Sequence, residues 1–407
     1  NWDEGPLRQS ERTEIYKEYL EKLLEEKKAY WCFCTTEELE AQRQDQVSRG
    51  ETPKYSGRCR QFSLEGQDQS RQAGKSAAIR FVVESKKIAF KDLIKGEICF
   101  DTTLSGDIII AKDLKTPLYN FTVVVDDALM NMTHVIRGED HISNTPKQLL
   151  LKEALGFKHK IQYGHLPLLL GEDKTKLSKR HGDNSVIRFR QEGYLPEAII
   201  NFLALLGWNP GTEQELFTLD ELVSEFSLEN IQKGGAVFDI EKLNWFNREY
   251  IKKMSEAELR TKIEKYLPDN MKRSDMLKKI IPIITERINV FSDIEKMKTE
   301  GELDYFFREP EYDVNNLLWK QDTDLSTAKE HLEKVIDLLE ETKDFSQEDI
   351  KNAVWDYASE QGRGSVLWPV RYALSGRDKS PDPFQLAEVL GKEETISRLK
   401  NAINKIG

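Results

Sequence analysis

The chain has 407 residues, 39% of them hydrophobic and 32% charged, with a formal net charge of −11. That length suits two or three domains of about 100–200 residues each, and with no run of about 18 apolar residues nothing in it reads as a membrane span. Four cysteines are too few for a disulfide framework at this length, so a reducing cytoplasm is the expected compartment, and the acidic total leaves nucleic-acid binding open because phosphate contacts need only a local basic surface.

The opening Asn1-Trp2-Asp3-Glu4-Gly5-Pro6 is neither a signal peptide nor an initiator methionine, so the chain is expected to begin inside a longer reading frame. From Ser10 to about Tyr30 apolar residues recur at threes and fours (Ile15, Tyr16, Tyr19, Leu20, Leu23), which predicts a helix. A second, charged helix is expected over Glu37 to Arg49, then a polar stretch from Gly50 to Ser76. Short β-type runs follow at Ala78–Val83, Ile88–Phe90, Glu97–Phe100 and Asp107–Ala111, and together they suggest a small α+β module.

Between Tyr119 and Leu170 the rhythm alternates helix and strand, as in half of a doubly wound sheet. Asp126–Met132 reads as helix and Thr133–Arg137 as a strand ending in Gly138-Glu139-Asp140-His141. The next helix is predicted to start with Thr145 as N-cap and Pro146 at its first position, and to stop at Gly156. Ile161–Tyr163 is a strand and Leu166–Leu170 an apolar run. Beyond about residue 185 the pattern is helical: Pro196–Leu206, Glu241–Met254, Glu256–Tyr266, Ser274–Phe291, Thr327–Thr342, Gln347–Gln361 and Phe384–Leu390. The loop Gln321–Ser326 is a seam between two helical bundles on this reading.

Four constellations carry chemistry. Lys174-Thr175-Lys176-Leu177-Ser178-Lys179-Arg180 is a loop in which four of seven residues are basic; such a loop can close over a polyphosphate and stabilise charge as pyrophosphate leaves, though a solvated basic loop has the same composition. Thr133-His134-Val135-Ile136-Arg137-Gly138-Glu139-Asp140-His141 stands at the C-terminal end of a strand, the edge where open α/β sheets bind ligands. The Arg137 guanidinium there can fork a carboxylate, and Tyr119 can offer its phenol to the same pocket; the alternatives are a surface ion-pair cluster and plain packing. Cys32-Phe33-Cys34 with the later Cys59, and Tyr55 four residues before it, has a spacing that fits one tetrahedral Zn²⁺ or unconnected free thiols. Near the C-terminus, Trp368-Pro369-Val370-Arg371-Tyr372 and Gly376-Arg377-Asp378-Lys379 combine aromatic and basic residues that can stack on and neutralise single-stranded bases.

In their order, these segments resemble the bacterial glutamyl-tRNA synthetases over essentially the whole chain. The resemblance rests on Gly5-Pro6 with Arg8-Gln9-Ser10-Glu11-Arg12, on His134 to His141, on Lys176-Leu177-Ser178-Lys179-Arg180 (similar to the second signature of class I synthetases), on the block Tyr194–Trp208, and on Lys242-Leu243-Asn244-Trp245-Phe246-Asn247. It implies an α/β partial Rossmann catalytic domain of the class I type with an inserted α+β acceptor-binding module, followed by an all-α anticodon-binding region. The divisions it implies are 1–26 (remainder of the first Rossmann half), 27–115 (inserted module with the zinc site), 116–190 (second Rossmann half with the basic loop), 191–254 (helical stem-contact region) and 255–407 (anticodon-binding region, in two sub-bundles).

The implied reaction joins L-glutamate to ATP, supplied with Mg²⁺, as glutamyl-adenylate and then transfers it to tRNA-Glu, with tRNA-Gln a possible second acceptor. Lys179, Lys176 and Ser178 would be catalytic, Lys179 and Arg180 would contact ATP, and Tyr119 and Arg137 would bind the substrate glutamate. The first class I signature does not occur in the chain, so the polypeptide as given is expected to be catalytically incomplete. Where many members have His or Cys two residues after the third cysteine, this chain has Gln61. The related glutamyl-queuosine tRNA-Asp synthetases use a Tyr four residues before the last Cys, so the implied structural Zn²⁺ ligands are Cys32, Cys34, Tyr55 and Cys59. The competing readings are a non-catalytic tRNA-binding protein derived from a synthetase, and a glutamyl-queuosine enzyme, which would lack the helical C-terminal region. A cytoplasmic monomer with no membrane contact is the default.

Overall fold

The structure is a computed structural model describing residues 5–62, 76–178, 185–272 and 275–407. It clusters into two compact units, one of Asn1–Ser178, Ala204–Gln214 and Glu221–Phe238, the other of Lys179–Leu203, Glu215–Asp220 and Asp239–Gly407. No helix among the described residues is long and apolar enough to cross a membrane.

The first unit begins with helix α1 (Thr13–Glu25), whose Tyr16, Leu20 and Leu23 are buried at the spacing the sequence predicts. The chain then enters β1 (Ala29–Cys32), all four residues buried. Periodicity had run this segment into the helix, because a strand covered on both faces shows no alternation. Helix α2 (Thr36–Ser48) opens with a capping box: the Glu38 N–H donates to the Thr35 hydroxyl and the Thr35 N–H to the Glu38 carboxylate.

Four further strands follow, β2 (Ala78–Phe81), β3 (Lys87–Asp92), β4 (Gly96–Asp101) and β5 (Ile108–Ala111). They do not share one sheet. β1, β2 and β5 form an antiparallel three-stranded sheet, while the β3–β4 hairpin joins two later strands, β6 (His134–Gly138) and β7 (Gln162–Leu166), in the order β4-β3-β7-β6. The junction is a parallel pairing of Asp92 with Tyr163, carried by the Leu93 N–H bonding the Tyr163 carbonyl at 2.8 Å. Alternation reveals that a run is a strand; it does not say which neighbour the strand pairs with.

Helix α3 (Tyr119–Leu129) precedes β6, and α4 (Thr145–Leu155) makes the crossover that parallel strands require between β6 and β7. Helix α4 ends as expected at Gly156, whose φ of +78° is open to glycine. Its start differs: Asn144 is the N-cap position and the Thr145 side chain makes no cap bond, its hydroxyl being committed elsewhere. Residues from α1, β1, β2, β5, α3 and α4, among them Leu20, Ile79, Phe81, Ile110, Phe121, Val125 and Leu151, form one apolar core. Truncating one of them to alanine costs about 2–5 kcal/mol.

The second unit is almost entirely helical. Helix α5 (Pro196–Gly207) carries a buried polar residue, Asn201, in an otherwise apolar run. Its amide donates to the Glu215 carbonyl at 2.9 Å and accepts from the Phe217 N–H at 2.7 Å and the Tyr250 hydroxyl at 2.6 Å. On α6 (Ile240–Lys252), Asn247 accepts from the Leu195 N–H at 2.8 Å and donates to the Asn289 carbonyl at 2.5 Å, and Asn244 accepts from the Tyr194 hydroxyl at 2.5 Å. The two sequence blocks Tyr194–Trp208 and Lys242–Asn247 are thus tied to each other by two amides, the buried Asn247 and the half-buried Asn244.

Toward the C-terminus, α7 (Leu325–Glu341) is N-capped by Asp324 and buries Leu332, Val335, Ile336 and Leu339. It packs beside α8 (Gln347–Gln361), α9 (Arg363–Ser375) and α10 (Lys392–Ile406). The sequence had not shown α9, because Gly364 and Pro369 both count against a helix. Packing overrides them: a Cβ at Gly364 would lie 2.3 Å from the Trp319 ring, so this close approach needs glycine.

Candidate active site

Strands β6 and β7 run parallel and end together, with Arg137 directly in register with His165, while β3 ends at Asp92 opposite Tyr163, two residues earlier on β7, and its carboxylate reaches forward to His165. The Arg137 guanidinium is held from several sides. Its Nε donates to His165 Nε2 at 3.2 Å, and its Nη2 donates to the Thr145 hydroxyl at 2.7 Å and to Gln148 Oε1 at 2.8 Å. Its Nη1 faces the Tyr119 hydroxyl at 3.4 Å. Thr145 is the residue expected to cap α4, and its hydroxyl serves Arg137 instead. Tyr119 is 45% exposed and its ring meets His141 edge-on at 5.4 Å. The structure therefore brings Tyr119 and Arg137 together, with one face of the guanidinium fixed by protein and the other reaching toward solvent.

Behind Arg137 lies a buried acid–imidazole pair. His165 and Asp92 are fully buried at their side chains, and His165 Nδ1 is 2.6 Å from Asp92 Oδ2. Asp92 Oδ1 accepts the backbone N–H groups of Ile94 at 2.9 Å, Lys95 at 2.8 Å and His165 at 3.2 Å. Burial opposes the charge on Asp92, but these hydrogen bonds outweigh it and hold the carboxyl below its usual value. For His165, burial outweighs the neighbouring carboxylate and holds the ring below the usual imidazole value. Asp127, on α3, has its carboxyl pushed up to about 6 by burial, against the pull of Arg137.

The basic loop is described only in part; Lys179 and Arg180 lie outside the described residues. Its stem is a short antiparallel turn, with Leu177 N–H bonding the Leu169 carbonyl at 2.7 Å and Gly171 N–H the Thr175 carbonyl at 2.9 Å. Lys176 is exposed and pairs with Asp140 at 2.8 Å, which brings the loop beside the Gly138–His141 corner. Ser178 is exposed next to it. Glu139 ties the same corner down by accepting from Lys95 and from the Leu168 N–H at 3.1 Å.

The thiols converge as their spacing allows. The sulfurs of Cys32, Cys34 and Cys59 lie within 4.8 Å of one another, Cys34 and Cys59 at 3.5 Å. The Tyr55 hydroxyl is 3.5 Å from Cys32 Sγ and 3.3 Å from Cys34 Sγ, and it accepts the Cys59 N–H at 3.0 Å. A Zn–S bond of about 2.3 Å in a tetrahedron sets sulfurs about 3.8 Å apart, so these donors fit one ion with little movement. Burial opposes ionisation of Cys32, but hydrogen bonds from Tyr55, the Cys34 backbone and Arg80 outweigh it and lower the thiol. Burial pushes Cys34 up to about 11. Cys99, on β4, is exposed and apart from this cluster.

In the helical unit, a cavity of about 700 Å³ is lined by Tyr305, Arg308, Tyr372, Arg377, Asp378 and Lys379 among others. A second, of about 400 Å³, is bordered by Arg287, Arg371 and Lys379. Trp368 is partly covered, bonding the Asn316 carbonyl at 2.9 Å with Arg371 over its ring. Sequence reasoning found these aromatic and basic residues, missed His165, Asp92 and Gln148, and gave Thr145 only a capping role. The one available signal was a histidine closing a strand in Tyr163-Gly164-His165.

Comparison with known proteins gives consistent matches. Residues 1–245 match the family described as tRNA synthetases class I (E and Q), catalytic domain, and residues 245–403 match an anticodon binding domain. The glutamate–tRNA ligase of Carboxydothermus hydrogenoformans is 40% identical over 99% of this chain and 86% of its own length. That of Bacillus subtilis is 40% identical over 98% and 86%. The crystal structure of a glutamate tRNA ligase from Elizabethkingia meningosepticum, in complex with its amino acid, superposes with a TM-score of 0.81 at 33% identity, covering 100% of this chain and 85% of that one.

Proposed function

The chain belongs to the class I tRNA synthetases of the glutamate and glutamine type, and from that premise we propose how its residues carry out glutamate–tRNA ligation. The reaction uses ATP and has two steps. The glutamate α-carboxylate attacks the α-phosphorus of ATP and expels pyrophosphate; a ribose hydroxyl at the tRNA 3′ end then attacks the acyl carbon and releases AMP.

Arg137 holds the glutamate side-chain carboxylate, with Tyr119 lending its hydroxyl. The observation that carries this reading is the guanidinium itself, fixed on one side by His165, Thr145 and Gln148 at the sheet edge where α/β folds bind ligands. Lys176, Ser178, Lys179 and Arg180 serve the polyphosphate, Lys179 as the residue that stabilises charge during adenylation and, with Arg180, contacts ATP. The pairing of Lys176 with Asp140 supports the reading by holding the described part of the loop beside the Gly138–His141 corner.

Cys32, Cys34, Tyr55 and Cys59 hold a structural Zn²⁺, which when bound would fasten β1 to the 55–59 segment. Residues 27–115 serve the acceptor end of tRNA and residues from 255 onward the anticodon, in a cytoplasmic monomer. Whether tRNA-Gln is also charged is decided by assay.

The test is charging of tRNA-Glu and tRNA-Gln with labelled glutamate by the full-length protein and its Arg137→Lys variant, with zinc measured on protein purified without added metal. A rise of about a hundredfold in the KM for glutamate, at unchanged KM for ATP, supports the reading, since lysine cannot reproduce the fork. Equal KM values in the two proteins overturn it. Binding of tRNA without any charging favours the non-catalytic reading, and protein essentially free of zinc removes the metal site.

A further inference from the structure

The buried pair behind Arg137 has a chemistry that the substrate-binding reading leaves unused. Arg137 Nε carries a hydrogen and donates to His165 Nε2 at 3.2 Å, so that ring nitrogen must present its lone pair. The proton of a neutral imidazole then sits on Nδ1, where Asp92 Oδ2 accepts it at 2.6 Å. The Asp92 orientation is itself fixed, since Oδ1 takes the backbone N–H groups of Ile94, Lys95 and His165. The Thr145 hydroxyl, 3.1 Å from His165 Nε2, faces the same nitrogen. Neither acid nor imidazole is exposed, so neither touches substrate.

We propose that Asp92 and His165 are positioning residues for glutamate recognition: Asp92 holds His165 in the Nδ1–H tautomer, and the Nε2 lone pair then locks the Arg137 guanidinium in the plane that receives the side-chain carboxylate. This rests on the reading of Arg137 as the glutamate-binding residue. The order of the relay is set by the sheet, because β3, β7 and β6 are neighbours in that order and the Asp92 carboxylate at the end of β3 reaches both the backbone N–H and the ring of His165. It also gives the Thr145 hydroxyl its place, since that group contacts both Arg137 Nη2 and His165 Nε2 and completes the same clamp.

The discriminating variant is Asp92→Asn, which is nearly isosteric. Its carbonyl can keep the backbone bonds, but its NH₂ then faces His165 Nδ1, draws the proton to Nε2 and sets an N–H against the Arg137 N–H. The expected result is a glutamate KM raised about tenfold or more, with the KM for ATP changed less than about twofold. His165→Phe removes the acceptor and should match it. Nitrogen-15 NMR of histidine-labelled protein is expected to show His165 as the Nδ1–H tautomer, switched to Nε2–H in Asp92→Asn.

An unchanged glutamate KM in Asp92→Asn, when Arg137→Lys raises it, overturns the proposal, as does an Nε2–H tautomer in the unmodified protein. If Arg137→Lys itself leaves the glutamate KM unchanged, the reading of Arg137 fails, and the positioning role for substrate falls with it even where the tautomer is as stated.

Discussion

The Arg80 guanidinium lies over the Tyr55 ring, 3.9 Å from its centre, while its Nε donates to Cys32 Sγ at 3.1 Å and its Nη1 to the Asp107 carbonyl at 3.0 Å. Arg80 is buried, on β2, with one cation serving two candidate metal ligands. A thiolate cluster with a phenolate gathers more negative charge than a divalent ion cancels, and a fixed guanidinium offsets part of the excess.

Arg80→Met keeps much of the apolar stem and removes the charge and the donors. Residues that orient metal ligands typically account for about 10–100-fold in metal affinity. We expect a loss of that size for zinc, measured by competition with a chromophoric chelator. Equal affinity in the two proteins would show that Arg80 acts on packing alone.

The Asp127 carboxyl, raised to about 6 by burial, should make the protein less stable when charged. A carboxyl whose folded value lies above its unfolded value of 3.8 weakens the fold at high pH, and the penalty fades as pH falls through 6 toward 4. Asp127→Asn is therefore expected to melt higher than the unmodified protein at pH 8, with the gap closing near pH 4; about 3 kcal/mol is the upper bound. A gap that widens on acidification would reverse the sign and refute the assignment.

Helical packing gives a prediction of another kind. Asn247 is fully buried, and its amide satisfies one backbone donor and one backbone acceptor on separate segments. Asn247→Leu fills the space but leaves both groups unpaired. Each buried unsatisfied group costs about 1–3 kcal/mol, so a loss in the range of about 2–6 kcal/mol is expected in urea denaturation. Asn244→Ala, which frees only the Tyr194 hydroxyl, should cost less.

How much of this was legible in the sequence depends on what decides each element. Helix α8 was read residue for residue, because one amphipathic face and a Ser346 cap dictate it locally. Strand β1 was not read, nor was the pairing of β3 with β7, since both are fixed by partners far along the chain. At the candidate site, Arg137 and Tyr119 were visible because their chemistry faces outward. Asp92 and His165 were not: 73 residues separate them, and nothing local distinguishes a buried acid from a solvated one. Thr145 was seen and given the wrong partner, since a threonine before a helix is more often a cap than a clamp.

The acidic total charge makes tRNA binding the sharpest test of local against global electrostatics. Lys379 is exposed and borders both cavities of the helical unit, and Arg371 beside it bonds the Asp378 carbonyl at 2.7 Å and covers Trp368. If these cations meet phosphate, binding releases counterions, and the logarithm of affinity falls linearly with that of salt concentration. We expect Lys379→Ala to weaken tRNA-Glu by a similar factor whatever the anticodon bases, and to make the salt slope shallower by about one. Removing a base-reading residue would instead change the preference among anticodons at an unchanged slope. Filter binding across a salt series with anticodon-substituted tRNAs separates the two, and a flat salt response would refute phosphate contact by an acidic protein.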